Sequence, residues 1–380
     1  MKIVVAGTRG IPGIQGGVET HCQQLYPRIA ALGHDVTVLR RSCYIAGSDR
    51  QSVSLENGVP TYKGVKLKDV YAPRRKSLEA IVHTFLAVLR ARAMHPDILH
   101  IHAIGPSLMV PLARLLGMRV VTTNHGPDYD RGKWGRMAKW VLKTGEKWGA
   151  RRSNKVIVIS RVIADILANN YGRTDTELIF NGVPSPIRIP TTDYITSLGL
   201  EPGRYAVALA RFVPEKNFHL LIRAWQRAGL TERGFKLVLA GDADHEDEYS
   251  RSLKALAAAT PGVVLTGFIK GAPLQELMTH ARLFTLPSSH EGLPISLLEA
   301  MSYGLDVLVS DIPANSIREL APDDFFHLSI GDDTPSVEAL TEALLRKFAT
   351  ATPPARTYDL TPYDWDHIAQ QTLGVYAALL

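Results

Sequence analysis

The chain has 380 residues, of which 46% are hydrophobic and 21% charged; this balance excludes a disordered or fibrous protein and predicts a soluble globular one. The length is too great for one ordinary core and suits two α/β domains of comparable size. No apolar run approaches the ~18 residues that a membrane-spanning helix needs, and the opening residues do not resemble a signal peptide.

The two cysteines show no metal-ligand spacing, so we expect a reducing, cytoplasmic location. The charge is unevenly distributed. Residues 1–183 contain 27 Lys and Arg against 13 Asp and Glu, whereas the rest of the chain contains 16 against 24. This asymmetry predicts that the N-terminal half faces an anionic partner, and lipid headgroups, a lipid-linked pyrophosphate and nucleic acid all fit it.

In the first half, short β-branched runs alternate with helical patterns, which predicts βαβ units and a mostly parallel sheet. The predicted strands are Lys2–Ala6, Asp35–Leu39, Ile98–His102, Arg119–Thr123, Lys155–Ile159 and Glu177–Phe180. The predicted helices are Val18–Leu32, Leu78–Ala93, Ser107–Leu116, Trp134–Ala150 and Arg161–Asn170. Residues 44–77 and 124–136 are predicted loops.

The same alternation restarts after a Pro-rich stretch, Pro184–Pro190, which is typical of a hinge. The second series of predicted strands is Tyr205–Leu209, Phe235–Ala240, Val263–Thr266, Leu283–Leu286 and Asp306–Ser310. Helices are predicted near 217–228, 246–259, 273–280, 294–303, 315–320 and Trp365–Leu380. We therefore predict an α/β protein with two doubly wound, Rossmann-like domains, cut near Val183 and facing each other across a ligand-binding cleft.

The first predicted strand runs into a glycine-rich turn that continues to Gly16-Gly17, just before the first helix. Glycines let a ligand approach the main chain closely, and the free amides of a helix N-terminus attract phosphate. The spacing is neither Gly-x-Gly-x-x-Gly nor a Walker loop, so a dinucleotide fold and an ATPase are not supported. A phosphate-binding turn and a plain strand–helix connection both remain open at this point.

In the second half, Arg211 and Lys216 follow strand Tyr205–Leu209, at the strand end where doubly wound sheets bind ligands. Arg offers a bidentate fork and Lys a point charge, which together suit a diphosphate leaving group. Two ordinary surface cations on a loop are the alternative.

A second segment, Ser288–Ala300, carries two carboxylates around a helix start. Gly292, Leu293 and Pro294 mark that start, Glu291 lies in the loop before it, and Glu299 lies about two turns into the helix. The helix N-terminus can bind phosphate oxygens, and one carboxylate matches two vicinal hydroxyl donors of a sugar or ribose. A solvated helix face would explain the two glutamates alone but not their combination with Arg211 and Lys216.

A third segment ends strand Val263–Thr266 in Gly267-Phe268. This strand tip offers main-chain groups and an aromatic ring to a nucleobase, although a buried core phenylalanine fits the pattern equally well.

In combination, Glu291-x7-Glu299, Arg211 with Lys216, and Gly16-Gly17 resemble the retaining GT-B glycosyltransferases of family 4, the "glycosyl transferases group 1". The resemblance runs nearly end to end and includes the segments 123–126, 180–183 and 363–365. It implies a GT-B fold with an acceptor-side domain over 1–183, a nucleotide-sugar-binding domain over 184–362, and a final helix, 363–380, packing back on the first domain.

The resemblance also implies roles for individual residues. Arg211 and Lys216 would neutralise the donor diphosphate, Glu299 would bind ribose, and Glu291 would bind the hydroxyls of the donor sugar. Gly16 and Gly17 would let the loop approach phosphates or acceptor, and His125 would orient the transferred sugar. The family retains anomeric configuration by a front-face displacement, which needs no carboxylate nucleophile and rests on positioning and leaving-group electrostatics.

Three further features have less direct interpretations. Asp242-Ala243-Asp244 resembles a metal-binding Asp-x-Asp but lies in an acidic, helix-capping loop, so we expect no metal. His100 and His102 alternate on a strand and are expected to share one sheet face. In Arg131–Arg152, apolar residues (Trp134, Met137, Val141, Trp148) form one side and Lys139, Lys143 and Lys147 another. We expect the apolar side to pack on the sheet, with an interfacial helix on anionic lipid as the alternative.

These observations predict a retaining hexosyltransferase that uses a nucleotide-diphosphate sugar, without metal or other cofactor, and a saccharide or lipid-linked acceptor. The opening Gly-Thr-Arg-Gly-Ile-Pro resembles bacterial polysaccharide enzymes and indicates surface polysaccharide synthesis. A peripheral location on the inner face of the cell membrane fits this role. No nucleic-acid partner is expected, because no known binding motif is present. The alternatives are another GT-B enzyme, such as an epimerase or phosphorylase, and a catalytically silent nucleotide-sugar-binding subunit.

Overall fold

The computed structural model describes residues 1–14, 16–47, 52–74, 79–127, 129, 135–243, 246–350 and 356–380. The chain divides into two compact units. Unit 1 comprises Met1–Gly182 and Pro362–Leu380, and unit 2 comprises Val183–Thr361.

Unit 1 is built on a sheet of nine strands in the order β3-β4-β5-β2-β1-β6-β7-β8-β9. All neighbouring pairs are parallel except β3–β4 and β4–β5. The strands are β1 (Lys2–Ala6), β2 (Asp35–Arg41), β3 (Ser54–Glu56), β4 (Val59–Tyr62), β5 (Val65–Val70), β6 (Ile98–His102), β7 (Val120–Asn124), β8 (Lys155–Val158) and β9 (Glu177–Leu178).

Helices cover both faces of this sheet, as a doubly wound fold requires. They are α1 (Gly17–Ala31), α2 (Glu79–Met94), α3 (Val110–Leu115), α4 (Arg136–Arg152), α5 (Arg161–Tyr171) and the C-terminal α12 (Trp365–Ala377). One apolar core joins α1 and α12 to the sheet, with Tyr26, Trp365 and Tyr376 among its buried residues. The other lies under α2 and α3. The central strands are buried on both faces, which explains their continuous Val/Ile-rich sequences.

The prediction of a loop over 44–77 is wrong for residues 54–70, which form β3, β4 and β5. Two tight turns connect these strands, Asn57-Gly58 (φ 51° and 75°) and Lys63-Gly64 (φ 45° and 81°). Positive φ at both central residues is the requirement of a type I′ hairpin turn, for which Asn-Gly is the strongest short-range signal. The polar, exposed β3 concealed the strand pattern.

Unit 2 contains a six-stranded, wholly parallel sheet in the order β12-β11-β10-β13-β14-β15. The strands are β10 (Tyr205–Leu209), β11 (Lys236–Ala240), β12 (Val263–Gly267), β13 (Leu283–Leu286), β14 (Asp306–Ser310) and β15 (Phe325–Phe326). The helices are α6 (Asp193–Ser197), α7 (Phe218–Arg227), α8 (Glu248–Ala259), α9 (Ala272–His280), α10 (Ile295–Ser302) and α11 (Asp333–Lys347).

Some sequence-based assignments in unit 2 differ from the structure. The predicted helix at 315–320 is wrong, because Pro313–Asn315 forms only a short 3-10 turn. Three elements, α6, α11 and β15, were not predicted from the sequence. Of these, α11 begins at the cap of Asp332 and packs on α7. Between the two series of elements, the Pro-rich segment lies against unit 2, where Arg188 Nη2 donates to the Tyr303 carbonyl at 2.7 Å.

Strand order fixes where each unit can bind a ligand. In unit 2, β10 lies between β11 and β13, so the connections from β10 and β13 leave in opposite directions. In unit 1, β1 lies between β2 and β6 in the same way. Doubly wound sheets bind ligands outside the carboxyl ends of strands at such a switch point.

Candidate active site

In unit 2, the loops that follow β10 and β13 meet at the switch point. The Ser289 amide donates to the Glu215 carbonyl at 2.9 Å, and Asn217 Nδ2 donates to the Pro287 carbonyl at 3.0 Å. Asn217 adopts a left-handed conformation (φ 52°) where the loop enters α7. These bonds hold two segments about 75 residues apart in the sequence in one fixed arrangement.

Lys216 and Glu291 form an ion pair between these loops, through Nζ and Oε1. Both side chains are largely withdrawn from solvent, with 15% and 11% exposed. Two charges taken out of water are costly unless they are paired, so each depends on the other in the free protein. An arriving diphosphate would compete with Glu291 for the lysine and leave that carboxylate available to hydroxyl donors.

Glu299 lies in α10, and burial raises the pKa of its carboxyl group to about 7. A buried carboxylate is stabilised by hydroxyl donors that replace the water it has lost. Buried Leu293 and Pro294 precede α10, and its N-cap residue, Pro294, makes no side-chain hydrogen bond to the first amides. The start of α10 therefore presents backbone donors close to Glu291 and Gly292 in the chain.

The remaining predicted residues of unit 2 lie at other strand ends. Arg211 is half-buried in the turn after β10, whereas Gly267 ends β12, which β11 separates from β10. Phe268 is 52% exposed, so its interpretation as a core residue is wrong, and its ring is accessible for stacking. The structure brings Lys216 and Glu291 into contact and places Gly267 and Phe268 two strands away from the end of β10.

In unit 1, the glycine-rich turn after β1 is shaped by Glu19, a residue that the sequence analysis missed. The buried Glu19 Oε1 accepts hydrogen bonds from the Arg9 amide at 2.9 Å and from Thr8 Oγ1 at 3.2 Å. Gly16 has φ 149°, and a Cβ there would lie 2.1 Å from Glu19 Oε2, whereas a Cβ at Gly17 meets nothing within 4 Å. Gly16 is therefore required by the fold of the turn, and Gly17 leaves open space beside it.

His125 follows β7 and belongs to a group of rings at the carboxyl edge of the sheet. Its Nε2 lies 3.0 Å from His102 Nδ1, and its ring stands edge-on to that of His21 with centroids 5.0 Å apart. The predicted pairing of His100 and His102 on one sheet face is confirmed, because their rings stack at 4.2 Å. His21 lies in the second turn of α1 and was not predicted; its position shortly after Gly16-Gly17 is the one feature of the sequence that points to it.

A hydrogen-bonded network continues from these rings into the core. The Tyr26 hydroxyl contacts His102 Nε2 and, at 3.0 Å, His100 Nδ1, which also lies 2.6 Å from the Tyr376 hydroxyl. Burial lowers the pKa of His21 to about 4 and that of His100 to about 3, and it holds the pKa values of His102 and His125 well below the usual range. The four imidazoles are therefore neutral near pH 7 and present lone pairs as well as N–H donors.

The prediction that the apolar side of the basic helix packs on the sheet is wrong for Met137 and Trp148, which are exposed; Trp134 lies outside the described residues. The packed side of α4 instead carries Gly145, Glu146 and Gly149. A Cβ at Gly145 would lie 2.1 Å from the Ile104 carbonyl, and buried Glu146 accepts a hydrogen bond from Asn124 at 3.1 Å. Because small residues make the close contact, the large apolar residues face outward beside the lysines.

The Asp-x-Asp segment is only partly described, since Asp244 lies outside the described residues. Asp242 pairs with Lys254 at 2.9 Å, and that bond together with the Ala243 amide lowers the carboxyl pKa despite some burial. The cap of α8 is Asp247, which accepts from the Ser250 amide at 2.8 Å. Over the described part of the chain, no helix is long and apolar enough to cross a membrane.

Comparison with known proteins agrees with this architecture. The family described as "Glycosyltransferase Family 4" matches residues 15–185, and the family described as "Glycosyl transferases group 1" matches residues 203–348. The α-maltose-1-phosphate synthase of Mycobacterium tuberculosis is 28% identical, and the alignment covers 99% of each chain.

The GDP-mannose:cellobiosyl-diphosphopolyprenol α-mannosyltransferase of Xanthomonas campestris is 25% identical over 75% of this chain and 74% of its own. Among solved structures, HepE of Anabaena in complex with UDP-glucose superposes with a TM-score of 0.75 at 17% identity and 99% coverage of both chains, which shows a shared fold. With two parallel-sheet α/β units, both family matches and these relatives, the chain belongs to the family 4, group 1 glycosyltransferases and is a glycosyltransferase with a GT-B fold.

Proposed function

We propose that the protein transfers a hexose from a nucleotide-diphosphate sugar to a saccharide or lipid-linked acceptor, with retention of anomeric configuration, in bacterial surface polysaccharide synthesis. The observation that carries the donor assignment is the Lys216–Glu291 pair at the switch point of unit 2, on the same segment as Glu299 with its raised pKa. Such a site offers a cation to a diphosphate and carboxylates to ribose and sugar hydroxyls.

In the proposed donor complex, Lys216 and Arg211 bind the diphosphate and Glu299 accepts hydrogen bonds from the ribose hydroxyls. Glu291, released from Lys216, accepts hydrogen bonds from the donor sugar. Gly292 and the start of α10 offer amides to phosphate oxygens, and Phe268 with Gly267 borders the base. HepE, whose solved structure contains UDP-glucose, supports a donor of this class.

The chemical step is a front-face displacement. The acceptor oxygen attacks the anomeric carbon on the face that the diphosphate leaves, the bond between that carbon and the phosphate oxygen breaks, and the acceptor proton passes to the leaving phosphate. Lys216 and Arg211 stabilise the charge that develops on the diphosphate, and positioning with electrostatics supplies the catalysis without metal. His125, a neutral imidazole, hydrogen-bonds the transferred sugar, and Gly16 and Gly17 let substrate approach the turn.

We further propose that the acceptor is presented at an anionic membrane surface, which α4 contacts. Met137 is 80% and Trp140 67% exposed, and both lie on the outward side of α4 with Lys143 and Lys147. Aromatic and apolar side chains among cations are typical of helices that lie in the headgroup region. The relative from Xanthomonas campestris, named for a diphosphopolyprenol-linked acceptor, supports an acceptor of this kind.

The test of donor use is a thermal-shift panel of UDP, GDP, TDP and ADP sugars, followed by turnover and NMR of the product's anomeric centre. We expect stabilisation by one nucleotide class, insensitive to EDTA, and a product with the donor's anomeric configuration. An inverted product would refute the front-face step, and stabilisation by none of the donors would refute the donor site.

Membrane contact is tested by co-sedimentation with vesicles of neutral or 30% anionic lipid. We expect binding to anionic vesicles that weakens with salt. The double variant Trp140→Ser with Met137→Ser should bind at least tenfold more weakly, because tenfold is ~1.4 kcal/mol and one fully inserted apolar side chain already contributes ~1.5–3 kcal/mol. The matched control is Leu55→Ser, an exposed apolar residue on β3. Equal binding of both variants would refute the assignment of α4.

A further inference from the structure

Three histidines from different elements of unit 1 converge at one point. His21 comes from α1, His102 from the end of β6 and His125 from the residue after β7, and one ring nitrogen from each lies within 4.8 Å of the others. Their ring centroids are 5.5, 5.0 and 5.3 Å apart, which is a nearly equilateral triangle.

This triangle has the dimensions of a tris-imidazole metal site. With metal–nitrogen bonds of ~2.0–2.1 Å and tetrahedral angles, three imidazoles place their nitrogens ~3.3 Å apart and their ring centres ~5 Å apart. His102 Nδ1 and His125 Nε2 are already 3.0 Å apart. To bind one ion, it is therefore mainly the His21 ring that has to move closer to the other two.

Neighbouring groups orient two of the rings as metal ligands need. His21 Nδ1 lies 2.9 Å from Asn181 Oδ1; an amide oxygen only accepts, so Nδ1 carries the proton and Nε2 carries the lone pair. His102 Nε2 lies against the Tyr26 hydroxyl, so with the proton there, His102 Nδ1 carries a lone pair that accepts from His125 Nε2–H in the ion-free protein. An ion can bind both nitrogens once that proton moves to His125 Nδ1. Metal-bound histidines usually donate their second N–H to such an outer partner.

The groups around His102 are compatible with this arrangement of protons. When His102 Nε2–H donates to Tyr26, the Tyr26 hydroxyl donates to His100 Nδ1 at 3.0 Å, and His100 Nε2–H donates to Thr123 Oγ1 at 2.7 Å.

We propose that His21, His102 and His125 bind one divalent transition-metal ion of the Zn²⁺ class, with a fourth position open to water or a substrate oxygen. Neutral imidazole ligands suit Zn²⁺, Co²⁺ and Ni²⁺ and do not suit Mg²⁺ or Ca²⁺. One consequence rests on the proposed function: the ion occupies the lone pair of His125, so it inhibits hexosyl transfer, and the site is regulatory.

The experiment is equilibrium dialysis of the EDTA-treated full chain against Zn²⁺, with the visible spectrum of the Co²⁺ form as a reporter of coordination geometry. We expect one ion per chain and a tetrahedral Co²⁺ band. His21→Gln is expected to lower the affinity at least tenfold and remove the band, and Asn181→Ala to lower it ~10–100-fold. His327→Gln, a control at an exposed histidine paired with Asp311, is expected to retain both.

Absence of stoichiometric binding, or wild-type affinity in His21→Gln, would overturn the proposal. Thermal unfolding of each apo variant shows whether it is folded, and Asn181→Ala carries the test if His21→Gln is not. The effect on turnover is read separately: Zn²⁺ is expected to inhibit the wild type and not His21→Gln. Binding without inhibition would leave the metal site established and refute the proposed role of His125.

Discussion

The raised pKa of Glu299 makes donor affinity pH-dependent in a way that can be calculated. Burial raises the pKa of this carboxyl group to about 7 in the free protein. Ribose hydroxyls hydrogen-bond best to its anionic form. With this pKa, about one tenth of the protein is ionised at Glu299 at pH 6 and about nine tenths at pH 8. Donor affinity is therefore expected to fall about tenfold from pH 8 to pH 6, or ~1.4 kcal/mol.

The assay is isothermal titration calorimetry with a nucleotide sugar between pH 5.5 and 8.5. A nucleotide sugar is preferable to a free nucleoside diphosphate, because a terminal phosphate itself titrates near pH ~6. Glu299→Gln should bind more weakly than the wild type at pH 8 and lose this component of the pH dependence. An affinity of the wild type that is flat over this range, or the same slope in both proteins, would refute the reasoning.

The same group has the opposite effect on the stability of the free protein. The pKa of Glu299 is about 7 in the folded protein and ~4.3 in the unfolded protein. The stability that Glu299 contributes is therefore fully present below pH ~4.3 and is lost as the pH rises through about 7. The melting temperature of Glu299→Gln relative to wild type should therefore increase from pH 5 to pH 8. A difference that is constant with pH would show that this carboxyl is not buried as described.

Lys216→Met is expected to lower kcat by ~10²–10³, because it removes a charge that stabilises the leaving diphosphate. It should also lower the melting temperature, because Glu291 loses its ion-pair partner. Adding Glu291→Gln should restore the melting temperature and leave kcat low. Gly16→Ala should lower the melting temperature, since its Cβ would lie 2.1 Å from the Glu19 carboxylate, whereas Gly17→Ala should fold as the wild type does; equal melting temperatures for the two variants would contradict the described turn. Turnover in EDTA should equal turnover without EDTA, because side chains neutralise the diphosphate in the proposed site. Activity that is lost in EDTA and regained with Mg²⁺ would contradict a metal-independent reaction.

Most of the regular structure, and the family, could be predicted from the amino-acid sequence alone. Short, mostly apolar segments specified β1, β6, β10, β13 and β14 to the residue, because strands buried on both faces have largely hydrophobic sequences of strand length between loops. Elements with mixed or exposed sequences were not predicted by this pattern, as for β3 and α11. Local chemistry, such as a helix start beside two glutamates, could be read from spacing alone.

Which of these residues contact one another could be seen only in the folded chain. The parallel order of unit 2 brings Lys216 and Glu291 into contact across 75 residues, and that of unit 1 brings His21 to His102 and His125. The side of α4 that faces outward likewise depends on a long-range contact, because Gly145 packs closely against the Ile104 carbonyl, 41 residues away in the sequence. The physical reason is the same in each case: local periodicity fixes the face on which a side chain lies, whereas its partners depend on long-range packing that no single segment encodes.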